Sequence, residues 1–220
     1  MKTSPKGFSL MELLVVIAII AILSGMVMSG FAIVRKTSDR AVALANLHNI
    51  GLAMQNYAND HNGSLPGPLH YGQSPRYRRD STGQLAHFLW SYLDGEEPID
   101  NRWRELEAMT SPAYLRQRDA TDDVIYLVQR NVRMPGERYI PPFGYRTGED
   151  GIPIQPLTLQ NLVQYDLRGE WALQDVDQQH PETIGWSPTV YLPKPIHGDV
   201  RMTLYFDWSV AAVPVKQGNE

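Results

Sequence analysis

The 220 residues include no cysteine, which excludes disulfides, thiolate metal sites and a cysteine nucleophile. That absence leaves the compartment open, because extracytoplasmic domains of this size fold without covalent staples. Charge is almost missing between Phe8 and Val34, where Glu12 is the single ionisable side chain. A Gly-rich phosphate loop, a Gly-x-Ser-x-Gly elbow and a His-Glu-x-x-His pair are also absent, so the common catalytic signatures are not present. No internal repeat and no long low-complexity tract interrupts the chain.

What remains is enough for a packed core: 43% of residues are hydrophobic and 10% aromatic. The length fits one domain with an appendage or two small domains. Residues 1–40 hold five of the 20 Lys and Arg but only two of the 24 acids, so the remainder carries a net charge of −7. An acidic body argues against sequence-independent nucleic-acid binding, which depends on neutralising phosphates with Lys and Arg. Arg76, Tyr77, Arg78 and Arg79 are a local exception and read as a solvated loop, since they sit among Gly, Pro and Ser without periodic support.

The run Leu13–Leu23 is unbroken Leu, Val, Ile and Ala, and the apolar stretch 8–34 is long enough to cross a bilayer. Lys2 and Lys6 precede it and hold the N-terminus on the cytoplasmic side, although Arg35 and Lys36 follow it. A secretory signal peptide would have a similar start. Two features oppose that reading. Residues 24–30 run on from the apolar core without an Ala-x-Ala cleavage pattern, and Glu12 stands at its mouth, where inserting an ionised carboxylate costs roughly 3 kcal/mol unless it has a partner.

The stretch KGFSLMELLVVIAIIAIL resembles the cleavage and methylation motif of type IV prepilins and type II secretion pseudopilins. In that family a short basic leader ends in Gly, Phe follows, and Glu occupies the fifth mature position; here these are Gly7, Phe8 and Glu12. The resemblance implies a leader of residues 1–7, cleavage between Gly7 and Phe8 by a prepilin peptidase, and methylation of the Phe8 amine. It further implies an assembly role for Glu12, whose carboxylate neutralises the new amine of a neighbouring subunit in an apolar surround. The partners implied are the peptidase, other pilin-like subunits and the membrane. The implied location is the inner membrane, crossed once with the head on the extracytoplasmic side, and after assembly a periplasmic or cell-surface filament.

Beyond Val34 the pattern turns amphipathic. Leu44, Leu47, Gly51, Met54 and Ala58 recur at spacings of three and four, with Ile50 and Tyr57 beside them. The cluster Asn59–Gly63 then supplies a helix end. One helix over 8–60, about 80 Å long at 1.5 Å per residue, would be transmembrane in its first half and lie on a head in its second.

In the head, 61–220, the residues 64–75 read as irregular, 84–93 and 103–109 as helical, and 124–129 as strand. Residues 139–146 read as an edge strand, 157–165 is open between helix and strand, and 171–176 and 189–192 read as strands. Val200–Val215 reads as a hairpin turning at Asp207 and Trp208. The expected class is α+β: a long N-terminal helix packed on a small antiparallel sheet.

Asp175, Asp177, His180, His197 and Asp207 form the best polar constellation. His197 and Asp207 resemble a C-terminal His-x9-Asp-Gly pattern of a pilin-like subgroup, with Trp208 standing where Gly is usual. Ten extended steps would separate them by about 30 Å, so the expectation is that each serves a turn at one end of the hairpin rather than a shared metal ion. Asp175 and Asp177 fall on one strand face, and oxygen ligands suit calcium. No defined calcium loop is present, and no cofactor or metal ligand is assigned.

A structural filament subunit is the reading that follows. Its rivals are a minor, tip-located adhesin using Tyr71, Tyr77, Trp186 and Tyr191 at its surface, and a membrane-anchored enzyme, which the missing motifs disfavour. Gly7→Leu should block maturation, because the peptidase must draw extended backbone close to its catalytic groups and only glycine has no side chain to obstruct it. Precursor accumulating in membranes, seen as an unshifted mass, is the expected result; normal processing would count against the motif.

Overall fold

The computed structural model describes residues 9–118, 124–133, 139–145, 152–183 and 190–215, excluding the side chains of 26–29. Gly7, Phe8, Trp186 and Thr189 lie outside the described residues. The chain divides into two compact units, one ending at Ser38 and one beginning at Asp39.

The first unit contains the start of α1 (Leu10–Asp60). Ser9 precedes it as N-cap: its hydroxyl accepts from the Met11 N–H at 3.1 Å, while Glu12 Oε2 accepts from the Ser9 N–H at 2.8 Å. The large apolar side chains from Leu10 to Leu23 are between 44% and 88% exposed within the chain. An apolar helix with no polar face needs an apolar surround, and α1 is long and apolar enough to cross a membrane.

In the second unit α1 buries one stripe: Ala43, Leu47, Ile50, Ala53, Met54 and Ala58 are at most 2% exposed. The helix ends where Asn62 and Gly63 take positive φ, and the Gly63 N–H donates to the Ala58 carbonyl at 2.7 Å. A five-stranded antiparallel sheet completes this unit, formed by β1 (Gly72–Gln73), β4 (Tyr126–Val128), β7 (Trp171–Asp175), β8 (Val200–Tyr205) and β9 (Val210–Pro214) in that order. The long helix and the antiparallel sheet give the expected α+β, pilin-like layout.

Smaller elements surround this frame. Strands β2 (Arg76–Tyr77) and β3 (Arg104–Glu105) form one ladder, and β5 (Val132–Arg133) and β6 (Tyr139–Ile140) another. Helix α2 (Leu85–Leu89) runs into a 3-10 turn at Trp90–Tyr92, α3 covers Pro112–Gln117 and α4 Leu159–Gln164. Ser111 caps α3, with Pro112 as its first residue, and Thr158 and Asn161 form a reciprocal cap at α4.

Several local expectations change. Arg76 and Tyr77 are not a solvated loop: they pair with Glu105 and Arg104, and Tyr77 is buried. Residues 103–109 hold β3 and a 3-10 turn rather than a helix, since Arg104 and Glu105 are paired with β2. Gly72 and Gln73, expected to be irregular, join the main sheet, and residues 190–192 form no strand. The open segment 157–165 is helical, as α4.

The β8–β9 turn holds the position where the resemblance calls for glycine. Trp208 sits there at φ 69°, a left-handed conformation that costs about 1–2 kcal/mol for a residue with a Cβ. Its indole packs on α1: a methyl group placed on Gly51 would meet Leu204 Cδ1 at 3.0 Å and Trp208 Cε3 at 3.7 Å. Trp208 thus exchanges backbone ease for contact with the helix. Trp208→Ala should lower head stability by about 2 kcal/mol or more, and Trp208→Gly by about 1 kcal/mol less than that, since both lose packing but only glycine relieves the strain. Denaturant unfolding followed by circular dichroism should show that order; alanine above glycine would refute it.

Candidate functional site

Beneath the sheet's centre, the strand sequence itself brings polar side chains into the interior. Asp175 ends β7 and accepts from the Met202 N–H of β8 at 2.9 Å. Asp177, fully buried, holds the Arg201 guanidinium with both carboxylate oxygens, at 2.7 Å from Nε and 3.0 Å from Nη2. Such forked pairing satisfies both ions and makes their burial tolerable. A calcium ion would have to displace that guanidinium, so this aspartate pair does not form an oxygen-lined cradle.

His180 lies in the turn after β7. Its Nδ1 accepts from the Glu182 N–H at 3.1 Å, so Nε2 carries the proton and donates to Gln174 Oε1 at 2.8 Å. Gln174 in turn donates to Thr203 Oγ1 on β8 at 2.6 Å. His197 is buried at the entry to β8, with Nε2 3.6 Å from Asp175 Oδ2, beyond hydrogen-bond reach. Arg40 of α1 donates to the His197 carbonyl at 2.8 Å and pairs with Asp199, while Gln117 of α3 donates to the Ile196 carbonyl at 2.9 Å.

Burial pushes the Asp175 carboxyl up to about 7, with Asp177 adding to the rise while the Met202 N–H and Arg201 oppose it. Burial lowers both imidazoles to about 4, assisted at His197 by Arg40 and at His180 by Arg201, against Asp39 and Asp177 respectively. The His197–Asp175 approach is therefore not an ion pair at neutral pH: the imidazole is uncharged.

The polar constellation is thus brought together only in part. Asp207 is in the hairpin turn, where its Oδ1 accepts from the Ser209 N–H at 2.9 Å and the Ser209 hydroxyl at 2.6 Å, as expected for a turn residue. His197 departs from that expectation, facing the Asp175 carboxyl instead. Arg201 and Gln174, which complete the cluster, were not singled out from the sequence, because nothing in a strand's alternation marks an arginine as inward-facing.

The aromatic side chains proposed for surface binding are corrected. Tyr71, Tyr77 and Tyr191 are buried, with the Tyr71 hydroxyl donating to Glu182 Oε2 at 3.1 Å and the Tyr77 hydroxyl to the Glu96 carbonyl at 2.8 Å. Trp103 is exposed, at 55%, with the Arg78 guanidinium 4.4 Å from its ring centre. It borders a groove of about 670 Å³ shared with Tyr77, Arg104, Glu105 and Glu107.

At the other end of the chain, Glu12 is held over the first turn of α1 by the Ser9 N–H. The Ser9-x-x-Glu12 spacing is a cap signature legible in the sequence, beside the more conspicuous charge. The carboxylate is thereby oriented toward the chain start, where the positive end of the helix dipole also favours it.

Comparison with known families matches residues 2–28 to the prokaryotic N-terminal methylation motif. No curated protein and no solved structure matches the chain. The motif, the exposed apolar start of α1 and the α+β layout together support a type IV pilin-like protein. They point to membrane anchoring and to a structural rather than catalytic role.

The buried cluster generates a pH signature. Each histidine has a depressed native pKa, so its contribution is present above the ordinary value of 6.5 and lost as pH falls toward about 4. Asp175 has a raised native pKa, so its contribution is present at low pH and lost as pH rises toward about 7. Between about pH 4 and 6.5 unfolding should take up about one net proton, and in Asp175→Asn about two, giving a steeper acid limb. Unfolding free energy measured across this range checks it; identical slopes would refute the assignment.

Proposed function

We propose that this chain is a structural subunit of a type II secretion pseudopilus or a type IV pilus-like filament. Prepilin peptidase matures it between Gly7 and Phe8, the Phe8 amine is methylated, and α1 anchors it once in the inner membrane with the head outside the cytoplasm. Other pilin-like subunits then take the exposed apolar segment of α1 out of lipid and into a filament core. The observation that carries this reading is the methylation motif over residues 2–28, which overlaps the apolar first half of α1, where Glu12 is the one acid between Phe8 and Val34.

Glu12 serves two ends in this mechanism. Within its own chain it caps α1 through the Ser9 N–H. Between chains its charge meets the methylated amine of a neighbour, and leaving that amine buried and unpaired costs about 3–5 kcal/mol. The second reading, a minor tip-located binding module, draws on the groove beside Trp103 rather than on the tyrosines.

Substitution separates the two parts played by Glu12. Glu12→Ala removes cap and charge, whereas Glu12→Gln keeps a cap acceptor and removes only the charge. Both variants should be cleaved and inserted normally, and both should be depleted about tenfold or more from sheared filaments. If Gln enters filaments as well as the unaltered chain while Ala does not, the cap rather than charge pairing is what assembly requires.

A further inference from the structure

Asn62-Gly63-Ser64 is the only Asn-x-Ser/Thr triplet within residues 1–220, although the chain has nine asparagines. Such a triplet accepts asparagine-linked sugar where it lies in a surface turn of a chain that leaves the cytoplasm and its middle residue is not proline. The middle residue here is Gly63. Asp60, two residues ahead of the asparagine, adds a carboxylate that a transferase can grip through a cationic group.

The structure supplies the surface turn. Helix α1 ends at Asp60 and the chain reverses at once: the Gly63 N–H donates to the Ala58 carbonyl at 2.7 Å, and the Ser64 N–H to the His61 carbonyl at 3.0 Å. Asn62 stands in this turn at φ 54°, a left-handed conformation that asparagine tolerates better than most residues. His61 and Asn62 are both exposed, and the Asn62 carboxamide bonds to no described residue. Neighbouring elements leave the turn open, since a Cβ added at Gly63 would meet nothing nearer than Thr158 Cβ at 3.9 Å. Ser64 is less accessible: it is half-buried, it bridges to Thr158, and its hydroxyl donates to the Leu65 carbonyl at 3.2 Å. The triplet is read through that hydroxyl, so transfer precedes closure of the turn, and the folded head then holds the product outward on Asn62.

We propose that Asn62 carries a glycan on its side-chain nitrogen, attached at the turn that follows α1. This rests on the proposed placement of the head outside the cytoplasm. The donor is an oligosaccharide borne on a lipid diphosphate in the same membrane. Asn62 Nδ2 bonds to the anomeric carbon of the first sugar, and the bond from that carbon to the diphosphate oxygen breaks. The lipid diphosphate departs with the electron pair, and the amide nitrogen gives one proton to a base of the transferase. No oxidant or reductant takes part. The buried stripe of α1 ends at Ala58, short of the acceptor, so the head folds with the sugar or without it.

The test uses the full chain purified from membranes of the cells that make it, digested and analysed by mass spectrometry. The peptide containing Asn62 should be heavier by whole sugar residues and should release sugar ions on fragmentation. Ser64→Ala keeps Asn62 and deletes only the hydroxyl, so occupancy should fall about tenfold or more, whereas Ser64→Thr restores a hydroxyl and should retain the sugar. Circular dichroism should show both variants folded like the unaltered chain, which separates loss of the acceptor from loss of the head. Four outcomes would each overturn the proposal: an Asn62 peptide of unaltered mass, one that is deamidated without sugar, a sugar mapped to a residue other than Asn62, or full occupancy in Ser64→Ala. Protease added to cells with an opened outer envelope distinguishes this failure from that of the underlying reading. An unmodified Asn62 on a digested head refutes glycosylation alone, and an unmodified Asn62 on a protected head refutes the placement of the head as well.

Discussion

Close approach between α1 and β8 is the constraint from which the head's arrangement follows. The buried stripe alternates small and large side chains: Ala43, Gly51, Ala53 and Ala58 admit the sheet, while Leu47, Ile50 and Met54 fill the space between. At Gly51 the fit is tight enough that one added methyl would press on Leu204. With β8 fixed on the helix, β7 and β9 are placed by hydrogen bonding on either side of it. The Trp208 indole anchors the end of the hairpin to the same part of α1, so the helix organises the head along more than one turn.

The opposite sheet face is organised by polar rather than apolar contacts. Asp177 and Arg201 neutralise one another there, and Gln174, Thr203 and His180 form a chain of hydrogen bonds between β7, β8 and the following turn. Such networks contribute little net stability compared with well-packed hydrocarbon, but each member forbids arrangements that would leave its partner unsatisfied. The segment Ile196–Asp199 is tied by Arg40 and Gln117 to two different helices, which sets where β8 begins. Polar contacts thus determine placement while the α1 stripe supplies cohesion.

Much of this was legible in residue order, and for identifiable reasons. A long uncharged run ending in an amphipathic stripe has one simple solution, and strict alternation from Val200 to Phe206 followed by turn residues has another, so α1 and the β8–β9 hairpin were both readable. Two-residue ladders such as β2–β3 were not, because their stability comes from partners distant in sequence and their own pattern is too short to carry a period. Tyrosines are ambiguous for a different reason: Tyr71 and Tyr77 look like surface aromatics, but a buried hydroxyl needs only one acceptor, which Glu182 and the Glu96 carbonyl provide. Ser111 before Pro112 and Ser9 three residues before Glu12 are cap signals carried by the sequence itself, less conspicuous than the proline and the charge that accompany them.

The cap at Ser9 also bears on what maturation leaves behind. Among the described residues, its hydrogen bonds to Met11 and Glu12 use atoms from Ser9 onward, downstream of the Gly7–Phe8 bond. On the proposed maturation, removing the leader would strip two lysines from the chain's beginning and leave both of these bonds in place. On that reading the cut would change the charge at the start of the chain while the Ser9 cap keeps the helical register that follows it.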